Sequence, residues 1–258
     1  IYCDVKGVFT NTVPVDAYRG AGRPEATYVT ERLVEAAAIQ TGIDSIELRR
    51  RNFIQPNQFP YSSPGNLTYD SGDYDATLTS ALLAIDYDNF ESRKNKSLQE
   101  GKVRGLGISC YIEACGVAPS KMTLEAGGRG GYYESSTVRV NPTGSVTVFT
   151  GSHSHGQGHE TVFAQIVHET LGIPFDSIDI VHGDTGRVPY GVGTVGSRSL
   201  AVGGPALMRS LDKIIAKGKK IAAHILEAQE DEMNFENGEF SIKGTNKFVT
   251  IADVIGAA

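Results

Sequence analysis

Three histidines stand within seven residues at the point where a β-rich stretch gives way to a helical one. They lie in the string Gly151-Ser152-His153-Ser154-His155-Gly156-Gln157-Gly158-His159-Glu160-Thr161. Glycines allow the backbone to come close to a ligand, and the N–H groups that open the following helix attract an anion. The string therefore predicts a loop that binds a phosphate.

The same histidines have two other interpretations. Zinc could be bound by His153, His155 and His159, but their spacing matches no metal signature, and no Cys or Asp stands at ligand spacing to complete the site. Alternatively, the loop only turns the chain while its histidines face solvent. The residues favour the phosphate loop without excluding these alternatives.

A second loop runs from His182-Gly183-Asp184-Thr185 to Tyr190-Gly191-Val192-Gly193-Thr194-Val195-Gly196-Ser197-Arg198-Ser199. It follows a predicted strand and precedes a long predicted helix. Hydroxyl groups, backbone amides and one arginine before a helix suit a phosphate or another anion. The alternative is a glycine-rich connector.

A third loop, Ala17-Tyr18-Arg19-Gly20-Ala21-Gly22-Arg23, is followed by Pro24 and Glu25. Proline in the first helical turn and an acid close behind it are signals for the start of a helix. Three loops at separate helix N-termini predict one large cofactor with several negative charges, held between elements.

Two other chemistries find little support. Cys110 and Cys115 lie on a predicted strand with four residues between them, which places their side chains on opposite faces and disfavours a shared metal. Ser197 lacks the context of a hydrolase nucleophile. With Cys3 the cysteines number three, an odd count that suits buried thiols in a reducing cytoplasm better than a disulfide scaffold.

The hydrophobic periodicity predicts the elements that must position these loops. Helices are predicted after Pro24 as far as Gly42, and then over Asp44–Arg51, Tyr74–Ile85, Phe90–Gln99, Gly158–Leu171 and Gly203–Leu226. Strands are predicted over Leu106–Ala114, Tyr132–Val140, Ser145–Phe149 and Ile178–His182, with a hairpin over Phe235–Val249. A polar surface loop is expected over Gln55–Asp75. This mixture indicates an α+β fold with a domain boundary near Arg104.

Composition excludes some classes of partner. The 24 basic and 30 acidic residues give a formal charge of -6, and the basic residues are scattered, so we expect no nucleic acid partner. We expect no membrane span, because no long apolar run is present. The chain starts without Met or a signal peptide, which predicts a soluble, cytoplasmic, internal piece of a longer protein.

The three loops, in this order, resemble those of the large, molybdopterin-binding subunit of molybdenum hydroxylases, the family of xanthine dehydrogenase, aldehyde oxidase and carbon monoxide dehydrogenase. Residues 17–25 resemble the family's aromatic-Arg-Gly loop, 156–161 its Gly-Gln-Gly motif, and 193–199 its third cofactor loop. Together with Ala118-Pro119-Ser120-Lys121, these motifs look most like those of carbon monoxide dehydrogenase large chains.

The resemblance implies two molybdopterin-binding subdomains with mixed sheets and long packed helices. Residues 1–104 would be the C-terminal part of the first such domain, and 105–258 the N-terminal part of the second. The implied reaction hydroxylates a small molecule with oxygen from water. The implied cofactor is molybdopterin with Mo, in the cytosine dinucleotide form. Electrons would pass to [2Fe-2S] clusters and FAD on partner subunits or domains of a hetero-oligomer.

The resemblance also assigns roles to residues. Tyr18 and Arg19 would lie beside the metal centre as catalytic residues, without being metal ligands, and Gln157 would hydrogen-bond the pterin or the oxygens on molybdenum. Arg198 would pair with the cofactor's diphosphate or form a structural ion pair. The full cofactor-binding set is Arg19, Gly20, His155, Gly156, Gln157, Gly158, His159, Thr194, Gly196, Ser197, Arg198 and Ser199.

The chain departs from the family pattern in three places. Copper-binding carbon monoxide enzymes carry a cysteine after the loop arginine, where this chain has Gly20, and xanthine enzymes carry an aromatic residue where it has Ala21. We therefore expect an aldehyde or N-heterocycle as substrate; the alternatives are a carbon monoxide dehydrogenase large chain and a non-enzymatic binding or assembly module. The family's Gly-x-Gly-Glu loop, which supplies a general base, is absent, so the 258 residues alone are expected to be inactive and to bind cofactor weakly or not at all.

Overall fold

The computed structural model describes residues 4–64, 67–116, 120–125, 127 and 131–258. The chain forms two compact units, Ile1–Ile112 and Glu113–Ala258. Each unit is considered by itself below. The domain boundary near Arg104 and the identities of the two domains stay predictions.

The first unit is mainly helical. Its one hairpin pairs Tyr61 with Tyr69 in antiparallel register and interrupts the predicted surface loop. The helices confirm the sequence-based predictions to within one or two residues at each end. In chain order the elements are α1 (Arg23–Thr41), α2 (Ser45–Asn52), β1 (Tyr61–Ser62), β2 (Thr68–Tyr69), α3 (Tyr74–Ala84) and α4 (Phe90–Gln99).

Local signals and one buried ion pair hold α1 against α2. Gly42 ends α1 in the left-handed conformation, at φ 70°, and its N–H donates to the carbonyl of Ala38. The Arg49 side chain on α2, only 2% exposed, pairs with Glu31 at 2.8 Å and with Glu35 at 2.9 Å, both on α1. Because the guanidinium is buried, these two carboxylates fix the position of α2 against α1.

The N-terminal cap of α2 gives a first prediction. The Asp44 carboxylate accepts the backbone N–H groups of Ile46 and Glu47, both at 3.0 Å. Asp44→Ala should lower the free energy of unfolding by about 1 kcal/mol, since two N–H groups lose their acceptor. Asp44→Asn should keep most of that stability, because asparagine caps equally well. Urea denaturation of the three proteins tests this, and equal losses in both variants would contradict a capping role.

One predicted strand is wrong. Residues Leu106 to Ala114 form no strand, and they belong to none of the sheets of the described residues. Gly105 and Gly107 weaken strand formation, and a strand without a paired neighbour gains no ladder hydrogen bonds. The prediction that Cys110 and Cys115 occupy opposite faces of a strand fails with it. Cys3, Ala118 and Pro119 lie outside the described residues, and nothing is described for the side chains of Ser120 and Lys121.

The second unit contains two three-stranded sheets. In the first, β3 and β4 are antiparallel, while β4 and β5 are parallel and joined through α6. The second sheet is an antiparallel meander, as its turn signals predict. In chain order the elements are α5 (Ser120–Glu125), β3 (Ser136–Val140), β4 (Val146–Thr150), α6 (His159–Leu171), β5 (Ile178–Val181), α7 (Gly204–Leu226), β6 (Met233–Glu236), β7 (Glu239–Ile242), β8 (Phe248–Thr250) and α8 (Ile251–Ala257).

Helix α7 contributes to both hydrophobic cores of this unit. Leu207 and Leu211 near its start pack with Val148 of β4 and Phe163 of α6. Ala222, near its end, packs with the second sheet. This spacing places one apolar stripe along the helix, as the sequence predicts. Within the described ranges, no helix combines the length and apolar character needed to span a membrane.

Candidate functional site

The parallel strands β4 and β5 end at the same edge of their sheet, and the predicted loops leave from that edge. Residues 151–158 follow β4, and residues 182–187 follow β5. Residues 190–199 lead into α7. Ligands of such sheets bind beyond the carboxyl ends of parallel strands, so this edge is the natural position for a site. We call residues 151–158, 182–187 and 190–199 the loop cluster.

Contacts between its segments hold the loop cluster together. A methyl group added to Gly151 would overlap the Cα of Gly191, so the two backbones touch where they cross. The Thr194 hydroxyl donates to the carbonyl of His153 at 2.5 Å and lies 3.1 Å from the hydroxyl of Ser199. The predicted residues of the histidine loop and of residues 193–199 therefore lie together in the structure.

A buried ion pair lies under the cluster. Arg198 Nη1 is 3.1 Å from Glu134 Oε2, and both side chains are 0% exposed. The guanidinium also donates to the carbonyls of Tyr132, Tyr133 and Gly193 at 2.8–3.0 Å. Of the two roles predicted for Arg198, the structure contains the ion pair. Its contact with the cofactor stays a prediction.

Glu134 also fixes the start of the histidine loop. Its Oε2 atom accepts the hydroxyl of Ser152, which is fully buried, at 3.1 Å, and its Oε1 atom accepts the N–H of Ser135 at 3.0 Å. The Ser152 hydroxyl leaves little room beside Gly203, in the π-helical turn Ser199–Gly203 that leads into α7. The Glu134 carboxylate thus connects the start of β3, the histidine loop and the turn Ser199–Gly203 that precedes α7.

The Gly-Gln-Gly motif forms a tight turn in front of α6. The Gln157 side-chain oxygen accepts the backbone N–H of His155. Gly156 has φ 93° and Gly158 has φ 77°, a backbone region that favours glycine. Apart from the neighbouring residues of the chain, no described atom lies within 4 Å of a methyl group placed on Gly158, so this side of Gly158 is open among the described residues.

His159, the first residue of α6, carries an unsatisfied buried atom. The residue is 8% exposed, and its Nδ1 atom has no hydrogen-bond partner among the described residues. Burial lowers the pKa of this imidazole below its usual value, so the ring is neutral at neutral pH. A buried polar atom without a partner at a helix N-terminus is available to a bound group.

The loop of residues 193–199 contains strained backbone. Gly196 has φ 60° and Ser197 has φ 51°, so two consecutive residues are left-handed, which costs energy at the serine. The Ser197 hydroxyl donates to Glu113 Oε1 at 2.6 Å, and its carbonyl accepts the N–H of Gly116 at 3.0 Å. These contacts connect the turn at Gly196 and Ser197 to the segment from Glu113 to Gly116.

The aromatic-Arg-Gly loop belongs to the first unit. It is a tight turn in which Ala21 N–H donates to Tyr18 O at 2.6 Å, and the Tyr18 side chain is 85% exposed. Gly20 has φ 96°, and a methyl group there would lie 2.7 Å from Pro24 Cδ. The cofactor-binding residues of the other motifs lie in the second unit, so the joint placement of Arg19, Gln157 and Ser197 stays a prediction.

The zinc interpretation is not supported. No group of three or more His, Cys, Asp or Glu side chains in the described part of the chain is arranged to hold a metal ion. Instead, His153 and Glu160 both hydrogen-bond His182. Sequence reasoning missed the roles of Glu134 and His182. The side-chain partners of Glu134, Ser152 and Arg198, are distant from it in sequence, so sequence spacing could not pair them.

Comparison with known proteins agrees with the motifs. Two family models, each described as a molybdopterin cofactor-binding domain, match residues 80–258 and 1–53. The first of these matches covers more than half of the chain and includes the whole loop cluster. The second includes the aromatic-Arg-Gly loop.

Individual relatives cover nearly the whole chain. The carbon monoxide dehydrogenase large chain of Hydrogenophaga pseudoflava is 41% identical over 98% of this chain and 32% of its own length. The nicotine 6-hydroxylase large subunit of Paenarthrobacter nicotinovorans is 34% identical over 96% of this chain and 30% of its own length. The crystal structure of quinoline 2-oxidoreductase from Pseudomonas putida 86 matches with a TM-score of 0.79 and 34% identity, covering 96% of this chain and 31% of that one. The chain therefore spans about a third of the length of these relatives.

Proposed function

The chain belongs to the molybdopterin cofactor-binding family, and from this premise we propose that it is part of the cofactor-binding subunit of a molybdenum-dependent hydroxylase. The observation that carries the proposal is the loop cluster at the carboxyl edge of β4 and β5, where two family motifs meet. The whole protein would be an oxidoreductase that adds water-derived oxygen to its substrate.

The residues present fit a molybdopterin nucleotide. His159 Nδ1 is buried and unpaired among the described residues, and glycines at Gly156 and Gly158 open the backbone in front of α6. The N-terminus of α6 would stabilise a phosphate by its amides and dipole. When bound, the cofactor would supply the electron sink and the activated oxygen, which no side chain of this chain provides.

The protein's own residues would bind and orient. Gln157 would hydrogen-bond the pterin or the oxygens on molybdenum, with Tyr18 and Arg19 beside the metal centre. The turn at Gly196 and Ser197 would offer amides to the nucleotide. Arg198 would support the site indirectly through its ion pair with Glu134, since its guanidinium already donates to Glu134 and to the carbonyl of Gly193. The remaining contacts proposed are Gly20, His155, Gly156, Gly158, His159, Thr194 and Ser199.

Gly20 bears on the substrate. A side chain at this position would need an unfavourable backbone at φ 96° and would collide with Pro24, so the turn is built for glycine. A copper-binding thiolate therefore does not suit this position, which disfavours carbon monoxide as substrate. Relatives named for nicotine and quinoline support an N-heterocycle, with an aldehyde next. A non-enzymatic binding module on the same fold remains the second candidate.

The complete enzyme would need redox partners. We propose [2Fe-2S] clusters and FAD on partner subunits or domains, in a cytoplasmic hetero-oligomer, and cofactor in the cytosine dinucleotide form. The 258 residues alone should show no turnover, since they contain no Gly-x-Gly-Glu loop. Release of the nucleotide from the full-length protein by acid, followed by chromatography, identifies its base.

Molybdenum content tests the proposed site. In the full-length protein, Gln157→Ala and Arg19→Ala should each weaken cofactor retention, with about tenfold to hundredfold lower affinity for each charge-assisted hydrogen bond lost. Elemental analysis gives the ratio of molybdenum to protein, and dye reduction with quinoline, nicotine, an aldehyde or carbon monoxide gives turnover.

Matched controls are available on nearby helices. Gln165 on α6 and Arg32 on α1 are exposed, so Gln165→Ala and Arg32→Ala should leave molybdenum content unchanged. Full molybdenum and full turnover in both Gln157→Ala and Arg19→Ala would refute the proposed site. Full molybdenum without oxidation of any of these substrates would favour the binding module.

A further inference from the structure

Three ionisable side chains form a continuous hydrogen-bonded chain at the loop cluster. His153 Nδ1 lies 2.9 Å from His182 Nδ1, and His182 Nε2 lies 2.6 Å from Glu160 Oε1. The histidine loop supplies His153, the residue after β5 supplies His182, and the first turn of α6 supplies Glu160. The chain runs from an exposed imidazole, through one that is 15% exposed, to a carboxylate.

The hydrogen-bond pattern fixes the positions of the protons. Glu160 accepts a hydrogen bond from its own backbone N–H and another from His182, and these contacts lower the pKa of the carboxyl group, so Glu160 is anionic. His182 Nε2 therefore carries a proton. When both rings are neutral, His182 Nδ1 is the acceptor, His153 Nδ1–H is the donor, and His153 Nε2 has a lone pair.

One further proton can enter this chain with every atom accounted for. A proton from solvent binds His153 Nε2, and the shared proton moves from His153 Nδ1 to His182 Nδ1. His153 is then neutral again, and His182 is an imidazolium beside the Glu160 carboxylate. A second proton cannot enter without breaking the bond between the rings, since both Nδ1 atoms would then be donors.

Gly183 makes the contact between the rings possible. It has φ 68°, and a methyl group there would lie 2.8 Å from His153 Nδ1. The other ionisable groups around the pair are His155, whose ring centre is 4.6 Å from that of His153, and His159 of α6. Asp184, after β5, is occupied by the N–H of Gly186 at 2.9 Å.

We propose that His153, His182 and Glu160 form a proton relay that couples binding of a phosphate oxyanion at the loop cluster to uptake of one proton. The inference rests on the proposed function, which places such an anion in front of α6. An anion there favours positive charge on the imidazole pair, while Glu160 compensates that charge at the far end. Binding should therefore be tighter at low pH and weaken as the pair loses its proton.

Pyrophosphate is the probe, titrated calorimetrically into the cofactor-free full-length protein from about pH 5 to 8. Two buffers of different protonation enthalpy report the protons taken up. The affinity should fall by up to about tenfold per pH unit, the limit for one linked proton. Inorganic phosphate in a parallel titration distinguishes a diphosphate site from a simple phosphate site. Pyrophosphate itself gains and loses protons in this pH range, but this contribution is the same for the parent protein and every variant, so it cancels in the comparison.

Variants isolate the relay. Glu160→Gln removes the compensating charge and Gly183→Ala displaces the His153 ring, so each should lower proton uptake and flatten the pH dependence. Glu169→Gln, exposed on the same helix, and Gly144→Ala, at φ 86° in open space, are the matched controls and should behave as the parent does. Circular dichroism and the ¹⁵N imidazole spectrum verify that each variant is folded.

The possible outcomes separate the relay from the proposed function. Proton uptake that persists in Glu160→Gln and Gly183→Ala but disappears in His155→Gln would assign the titration to His155 and overturn the relay. Binding without proton uptake would overturn it as well, as would the absence of pyrophosphate binding at every pH. The molybdenum content of the full-length protein tests the proposed function independently of these results.

Discussion

Replacing Arg198 by leucine is expected to lower the free energy of unfolding of the second unit by about 3–5 kcal/mol, the cost of leaving one partner of a buried ion pair alone. Glu134 would lose its charged partner in a place where its side chain is 0% exposed. The carbonyls of Tyr132, Tyr133 and Gly193 would lose their shared donor at the same time. Chemical denaturation monitored by circular dichroism gives the difference.

Two comparisons make this result specific. Lys220 and Glu230 are 4.0 Å apart with more than half of each side chain exposed, so Lys220→Met should change stability by less than about 0.5 kcal/mol. The double variant Glu134→Leu with Arg198→Leu should recover part of the loss, because no buried charge is left uncompensated. If Arg198→Leu were no more costly than Lys220→Met, the ion pair would not support the loop cluster.

The ion pair also explains why the two motifs of the second unit need a residue outside both of them to hold them together. Glu134 precedes β3, and Arg198 lies in the loop of residues 193–199, 64 residues later in the sequence. Because Glu134 binds Ser152 as well, one carboxylate fixes the histidine loop and the approach to α7 together. We expect Arg198→Leu to weaken pyrophosphate binding even where the protein stays folded, since both loops lose a common anchor.

Local signals predicted most of the helices. Pro24 and Gly42 bound α1, and Asp44 caps α2, each through contacts within a few residues. The turn between β3 and β4 and the meander after α7 follow from Asn, Pro and Gly in the same way. Features that depend on a few neighbouring residues are therefore readable without tertiary information.

The failures concern contacts between distant residues. The stretch from Leu106 to Ala114 has strand-forming residues but no neighbouring strand, and a strand needs a partner that sequence periodicity does not supply. The chain from His153 to Glu160 depends on the parallel register of β4 and β5, because its two histidines follow those strands. The pairing of Glu134 with Arg198 joins residues that are 64 apart in the sequence. The motifs predicted which segments would carry the candidate site residues. The contacts between those segments could be described only from the folded structure.

Replacing Gly151 by alanine is expected to cost about 3 kcal/mol, at the upper end of the usual range for overpacking. The added methyl group would overlap the Cα of Gly191 and lie 2.5 Å from the carbonyl of Tyr190. The Glu134 Oε1 atom would lie 2.4 Å away as well. Because two of these three contacts are backbone and the third belongs to a buried, hydrogen-bonded carboxylate, no obstacle can easily move aside. The Ser135 hydroxyl, which donates to that carbonyl at 3.0 Å, further resists displacement.

The control for Gly151→Ala is Gly256→Ala. Gly256 lies in α8, and apart from its own helix and chain neighbours no described atom is within 4 Å of a methyl group placed there. Alanine should therefore leave stability unchanged or raise it by up to about 1 kcal/mol. Denaturation curves for the two variants separate the contact from the general effect of a glycine substitution. If Gly151→Ala lowered the free energy of unfolding by less than about 1 kcal/mol, the two loops could move apart at little cost in stability.

The reciprocal variant decides whether one contact causes the loss. A methyl group on Gly191 would overlap the Cα of Gly151 and lie 2.7 Å from its carbonyl, so Gly191→Ala should be as costly as Gly151→Ala. If both substitutions force the same two loops apart, the double variant should cost less than the sum of the single ones. Pyrophosphate binding at the proposed site should fall in all three variants, because the backbone contact holds residues 151–158 against residues 190–199. Additive losses with unchanged binding would show instead that the two glycines act separately and that their contact does not shape the site.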